Sequence, residues 1–355
     1  MNSGDPSLFQ QIQDLCIKKF WHLICHESSV ATHGAYLRFQ LGDSDLFIHN
    51  HNSNLSCYVN RCPHRGARIV NSPSGRSSLQ CSYHGWSFQP SGTSVPRLET
   101  FADSLDPKGA CLQQWNLLRF AGFIFVSFDP AFSLDDQIGD DAMCLLEQMG
   151  EWIQDCFSSQ VIRFESPWML AVENSLEAYH LPKAHPQTLA IADLDDGENT
   201  LWDWSSWHVS SPRNDIVSRL SSVIAKGVDL PSRINGYFSL YLFPFSMIVS
   251  EGSLFFSLQL YQPSSRIEDC QTTLKTSFYT PSVLGDHMLS SFNEYYSSKS
   301  EQVASIIRED ILITSLVPLS SWSIEPLVYS SSLEVKVDHF RRCCKKALDI
   351  ALSGL

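Results

Sequence analysis

Two short segments, Cys62-Pro63-His64-Arg65-Gly66 and Cys81-Ser82-Tyr83-His84-Gly85-Trp86, constrain this chain more than any other feature. Sixteen residues, 65 to 80, separate His64 from Cys81. Each segment pairs one thiolate with one imidazole, as Cys-x-His and then Cys-x-x-His. Two soft anionic sulfurs and two neutral nitrogens suit either one tetrahedral zinc or a [2Fe–2S] cluster with both cysteines on one iron and both histidines on the other. The flanks favour the cluster. Pro63, Gly66 and Gly85 allow two tight loops in which backbone amides approach the sulfurs.

Composition sets outer bounds. With 355 residues, 43% apolar and 18% charged, two globular domains are expected. No stretch approaches the ~20 apolar residues of a membrane span, and the N-terminus shows no basic-then-apolar leader. The net charge, 25 − 38 = −13, disfavours nucleic acid. An acidic surface suits a basic redox partner or a cationic substrate, although solubility explains it equally well. Eleven scattered cysteines without a leader read as reduced thiols of a cytoplasmic protein.

The periodicity changes along the chain. Residues 1–19 read as an amphipathic helix, with Leu8, Ile12, Leu15 and Cys16 at helical spacing. Residues 20–130 read as a small β-domain of short apolar runs, with the two ligand loops at strand tips. Residues 131–355 read as an α+β domain, with helices near 140–157, 169–181, 285–315 and 332–352. Strands are expected at Tyr237–Val249 and Leu254–Tyr261. Gly-x-Gly-x-x-Gly is absent, so the chain offers no nucleotide-binding fingerprint of its own.

A second metal-like cluster runs from Glu173 to His185. His180 and His185 would diverge by about 140° on a regular helix. Pro182 should kink or end the helix between them and swing His185 round to share an ion with His180. The third ligand should be a carboxylate, completing the two-histidine, one-carboxylate set of non-haem Fe(II). Asp310 falls on the apolar stripe of Val303, Ile306, Ile307 and Ile311, where an uncompensated carboxylate would be costly. Glu309 points off that stripe and is expected to be exposed.

Together these motifs resemble the large (alpha) subunit of the Rieske non-haem iron oxygenases, from about Trp21 to the C-terminus. The resemblance implies that Cys62, His64, Cys81 and His84 hold a Rieske [2Fe–2S] cluster and that His180, His185 and Asp310 hold one mononuclear Fe(II). It implies an N-terminal all-β Rieske domain followed by a helix-grip (START-like) catalytic domain with an antiparallel sheet. It also implies a homotrimer, or an assembly with a beta subunit, in which a neighbour's cluster feeds each iron. Glu177 occupies the position of the carboxylate that bridges the two sites, with Asn174 one turn earlier placed to hold it. Most members carry Asp there. Glutamate resembles the branch acting on quaternary ammonium compounds such as carnitine and glycine betaine.

The activity implied is that of a terminal oxygenase. It would take electrons from an NAD(P)H-dependent flavin/iron–sulfur reductase and use O2 to hydroxylate or oxidatively N-demethylate a small, cationic or amine-bearing substrate. Two alternatives stand beside it, an aromatic ring-hydroxylating oxygenase and a non-catalytic Rieske electron carrier with a ligand-binding domain. Trp202, Trp204 and Trp207, with Asp193, Asp195, Asp196, Glu198 and Asp203 nearby, offer an aromatic, acidic cage for a cation. Alternate tryptophans on a strand equally well pack a core.

Overall fold

The computed structural model of the chain describes residues 6–95, 110–185, 197–211, 236–282, 286–328 and 331–353. Helix α1 (Pro6–Lys19) buries Leu8, Phe9, Ile12, Cys16 and Ile17, the face that its apolar spacing marks out. That face packs against elements far along the chain. Phe9 meets Trp322 edge-on at 4.9 Å, and the Gln13 side chain donates to the Ser264 carbonyl at 2.8 Å.

The first sheet is built from β1 (His22–His26), β2 (Ala35–Leu41), β3 (Ser44–His51), β4 (Asn54–Val59), β5 (Ser74–Arg76), β8 (Gln114–Phe120) and β9 (Phe123–Ser127); β6 (Ser87–Phe88) and β7 (Ser94–Val95) form a separate pair. Its order is β1-β9-β8-β4-β3-β2-β5, antiparallel throughout, with Leu37 opposite Ile48 and Ile48 opposite Cys57. Such cross-strand apolar pairs fix the register, because a one-residue slip would turn them all to solvent. β4 ends three residues before Cys62, and the second ligand loop lies between β5 and β6. One sheet therefore carries both loops.

Two helices follow, α2 (Leu134–Ile138) and α3 (Asp140–Trp152). The Ser133 hydroxyl caps α2 by accepting from the Asp136 amide at 3.1 Å. Here the helix expected over 140–157 is cut short. α3 stops at Trp152 and β10 (Ile153–Phe164) begins at once. β10 pairs with β16 (Thr272–Pro281), for example Ile162 opposite Leu274, more than a hundred residues away. A ladder of that reach overrides the local preference.

The second sheet continues with β11 (Glu198–Leu201), β12 (Ser205–Ser210), β13 (Tyr237–Leu242), β14 (Ser246–Glu251) and β15 (Phe256–Pro263). Its order is β10-β16-β15-β14-β13-β12-β11, again antiparallel. Helices α4 (Trp168–Leu176), α5 (Leu181–Ala184), α6 (Asp286–Thr314) and α7 (Val335–Ser353) complete the fold. α4 packs on β15, and α6 on β10, while α4 also touches α6 and α7. This is the α+β, antiparallel-sheet architecture the sequence pointed to. Trp168, Trp204 and Trp322 are its largest buried side chains. No described helix is long and apolar enough to cross a membrane.

Two buried ion pairs pin the helices. Glu173 of α4 accepts from Arg341 of α7 at 2.7 and 3.0 Å and from the Trp322 indole at 2.8 Å. Burial pushes the Glu173 carboxyl up, and Arg341 opposes that push. Lys299 of α6 donates to Glu251 of β14 at 3.0 Å.

Candidate functional site

The two ligand loops are near copies of each other. The Cys62 amide donates to Ala67 O at 2.7 Å and the Gly66 amide to Cys62 O at 2.9 Å. In the second loop the Cys81 amide donates to Trp86 O at 2.8 Å and the Gly85 amide to Cys81 O at 2.9 Å. Each turn closes through a left-handed glycine, Gly66 at φ +75° and Gly85 at φ +73°, where a Cβ would be strained. Cys62 and Cys81 are buried, whereas His84 is exposed. The two imidazoles face each other with ring centroids 4.6 Å apart. His64 stacks flat on Trp86 at 4.8 Å, and Tyr83 covers His84 at 4.0 Å.

The donors fit a cluster. Burial pushes the Cys62 thiol up, as does its neighbour Cys81, while the backbone amides of His64 and Arg65 draw it down. Two adjoining thiolates with amides aimed at sulfur suit an iron–sulfur group. Among the described residues, only His180, His185 and Asp310 bring three such donor atoms within 4.8 Å of one another.

The second set is compact. His185 Nε2 lies 3.0 Å from Asp310 Oδ1, His180 Nε2 lies 3.4 Å from the same oxygen, and the two Nε2 atoms are 3.2 Å apart. The opposite ring nitrogens are both engaged by carboxylates. His180 Nδ1 bonds Glu177 Oε1, and His185 Nδ1 bonds Glu309 Oε2 at 2.7 Å. With the ring protons donated at Nδ1, both Nε2 lone pairs face the Asp310 oxygen, which is buried and receives no protein hydrogen bond. Three converging lone pairs repel unless a proton or a metal cation sits among them, and two nitrogens with one carboxylate oxygen are the donor set that fits Fe(II). A proton can take the same place between the rings and Asp310. Burial disfavours imidazolium, yet Asp310 and Glu177 outweigh it and carry His180 up to about 9; His185 is raised in the same way. Burial pushes Asp310 up, but the two imidazoles and Asn174 outweigh it and hold the carboxyl below its ordinary range.

Local structure differs from the sequence expectation in four ways. Pro182 does not break a helix between the histidines: α4 has already ended at Leu176, and Pro182 sits in the first turn of α5, where its missing N–H is no loss. His180 and His185 bracket this single turn, which brings them together. Asn174 is not bonded to Glu177; its buried amide nitrogen makes no hydrogen bond, although its presence helps hold the Asp310 carboxyl down. Glu309 is not exposed but engages His185, a role that apolar periodicity could not reveal because it came from a carboxylate beside the stripe. The three tryptophans form no common cage. Trp204 is buried against Phe20 at 4.9 Å with Lys346 Nζ 4.5 Å over its ring, Trp207 stacks on Phe238 at 4.8 Å, and Trp202 bonds Asp141 at 3.4 Å. Asp193, Asp195 and Asp196 lie outside the described residues.

Comparison with known proteins places this geometry. Residues 20–102 match the Rieske [2Fe-2S] domain family. The anthranilate 1,2-dioxygenase large subunit of Acinetobacter baylyi is 28% identical over 192 residues, 51% of this chain and 41% of that protein. The carnitine monooxygenase oxygenase subunit of Escherichia coli K12 is 29% identical over 189 residues, 51% of this chain and 50% of that one. The chain thus matches half or less of these relatives' length. In fold it resembles the quaternary ammonium Rieske monooxygenase CntA crystallised with L-carnitine, with a TM-score of 0.73 at 19% identity over 97% of this chain and 93% of that one. The protein is therefore of the Rieske type. Residues 20–102 form a Rieske [2Fe–2S] domain, the chain as a whole is similar in sequence and fold to Rieske oxygenase large subunits, and its two donor sets fit a [2Fe–2S] cluster and a mononuclear iron.

Proposed function

We propose that this chain is the terminal oxygenase of a multicomponent system. It takes electrons from an NAD(P)H-linked flavin or iron–sulfur reductase and oxygenates a small substrate with O2. The observation that carries the reading is the convergence of His180, His185 and Asp310 in a chain that also holds the Cys/His loops, since a pure electron carrier needs no second metal site. When bound, the mononuclear iron supplies O2 activation and the cluster supplies single electrons. Cys62, His64, Cys81 and His84 would hold the cluster, and His180, His185 and Asp310 the iron. Glu177 accepts from both the ring and the backbone amide of His180, which fixes that ligand's tautomer and orientation.

The reading extends to assembly. His84 and Tyr83, the latter 58% exposed, form a projecting tip beside Arg65. Glu177 lines a surface depression with Ile313, Thr314 and Val317, the last 39% exposed, and Tyr179, two residues further on, is 67% exposed. We place the tip of one copy against that surface of the next in a homotrimer, with His84 donating to Glu177. The division into a helix (1–19), a Rieske domain (20–130) and a catalytic domain (131–355) belongs to the same reading. So does a cytoplasmic setting, on the strength of eleven cysteines that form no disulfide.

For substrate we favour hydroxylation or oxidative N-demethylation of a quaternary or amine-bearing cation, on Glu177 and the likeness to carnitine monooxygenase. Ring hydroxylation is the second reading, on the comparable likeness to anthranilate dioxygenase. The test is product analysis with O2, a reductase system and a panel of amines and arenes, beside iron content. About three irons per chain support the oxygenase and about two leave only the carrier. Turnover of neutral arenes with no response to any amine would overturn the substrate assignment.

A further inference from the structure

The carboxylate that holds His185 comes from the residue next to the carboxylate that shares its ion. We propose that Glu309 is a positioning residue for the mononuclear iron, acting through His185. The inference rests on His180, His185 and Asp310 being the iron ligands.

The geometry is specific. Glu309 Oε2 lies 2.7 Å from His185 Nδ1, and Asp310 Oδ1 lies 3.0 Å from His185 Nε2. Consecutive residues on a helix project about 100° apart, so two carboxylates from one turn of α6 straddle one imidazole. The ring is fully buried and held at both edges by the same helix. Glu309 therefore fixes three properties of the ligand. It keeps the proton on Nδ1 and the lone pair on Nε2, it fixes the ring plane, and it makes the ring more electron-donating. His180 receives the same treatment from Glu177, which reaches it through the turn after α4. The two carboxylates differ in setting. Glu177 lines a surface depression with Ile313, Thr314 and Val317, at the face we assign to a neighbouring copy, whereas Glu309 comes from inside the helix that carries Asp310. Glu309 thus serves iron retention and geometry, and Glu177 serves communication.

A helix of this length also transmits its own position. Lys299 to Glu251 at 3.0 Å, Tyr296 to Leu254 O at 3.2 Å and Gln160 to Ser300 O at 3.0 Å tie α6 to the second sheet about two and a half to three and a half turns before Glu309. Asp310 and Glu309 arrive together, so the His185 ring cannot be released by one without the other.

The test uses the full-length protein with its cluster in place. Fe(II) is removed and Co(II) is titrated under anaerobic conditions, and the nitric oxide complex of the Fe(II) form is examined by electron paramagnetic resonance. Glu309→Ala should bind Co(II) about 10–100-fold more weakly and broaden or shift the nitrosyl signal. Glu309→Gln, which keeps an acceptor oxygen but no charge, should fall between it and the unmodified protein. Exposed Glu301→Ala on the same helix should change neither readout. Unchanged Co(II) affinity and nitrosyl signal in Glu309→Ala would overturn the proposal, as would equal losses in Glu301→Ala. Asp310→Ala separates the two levels: if it too retains Co(II), the ligand assignment itself has failed.

Discussion

At the residue scale, two kinds of histidine share this chain. His180 and His185 are raised by carboxylates, whereas His22 is driven down to about 4 by complete burial, against which its hydrogen bond to the Ile17 carbonyl works only in part. His22 donates from Nε2 to Ile17 O at 3.0 Å and stacks on Phe245 at 5.3 Å, so it joins β1 to the end of α1 and to the second sheet. Its folded value is depressed below the ordinary 6.5, so the folded state favours the neutral ring. The stability this confers is full above pH 6.5 and is lost as pH falls from 6.5 through about 4. That loss should reach about 3 kcal/mol. In His22→Phe the unfolding midpoint should depend less steeply on pH across that window, and an unchanged slope would show that other groups govern it. Glu177 gives the complementary case. Glu177→Gln keeps the side chain's shape but removes its charge, so both metals should remain while reoxidation of the pre-reduced cluster with substrate and O2 slows by about tenfold or more. Wild-type single-turnover rates in Glu177→Gln would assign electron passage to another route.

At the scale of elements, what matters is how helices bearing the ligands are held to the sheet. Lys299 and Glu251 are both about nine-tenths buried, so removing Glu251 takes from the Lys299 ammonium the carboxylate that faces it. Glu251→Ala should cost about 3–5 kcal/mol, read from denaturant unfolding, and the double change Glu251→Leu with Lys299→Met should cost less than the single. Additive losses would show that the pair is not coupled. The same elements show what the sequence made legible. The ends of α6 and α7 fall within a few residues of where apolar spacing put them, because each buries one continuous stripe. The Cys/His loops were equally plain, since ligand chemistry there is local in sequence. β10 was hidden because its partner β16 lies over a hundred residues downstream, and its half-exposed side chains carry no strong alternation. The turn between α4 and α5 was read as a kinked helix for a related reason. Pro182 signals a disruption but not on which side of His180 it falls. Glu309 was hidden because a hydrogen bond to a ring from another helix leaves no trace in periodicity.

At the scale of the whole molecule, the two metal sites have opposite surroundings. The cluster loops end in an exposed tip, and the mononuclear site is buried behind Glu177, which lines a surface depression with Ile313, Thr314 and Val317. In the assembly we propose, the tip of one copy would meet the surface around Glu177 of the next in a head-to-tail contact that closes as a ring. Electrons would then enter a copy through its own loops and leave to the iron of its neighbour. Complementation between defective copies tests this directly. Cys81→Ser should lack the cluster but keep the mononuclear iron, and Asp310→Ala should lack that iron but keep the cluster. Each variant alone should be inactive. Co-refolded or co-expressed in equal amounts, they should recover roughly a quarter of wild-type activity per chain in a randomly assembled ring, because half the chains hold iron and half of those follow a chain with a cluster. A second change, Tyr83→Glu on the Asp310→Ala copy, places a carboxylate at the tip that faces Glu177 and should lower the recovered activity severalfold through like-charge repulsion. An inactive mixture of the two single variants, formed from mixed rings verified by mass, would show that cluster and iron communicate within one chain and would remove the assembly from the mechanism.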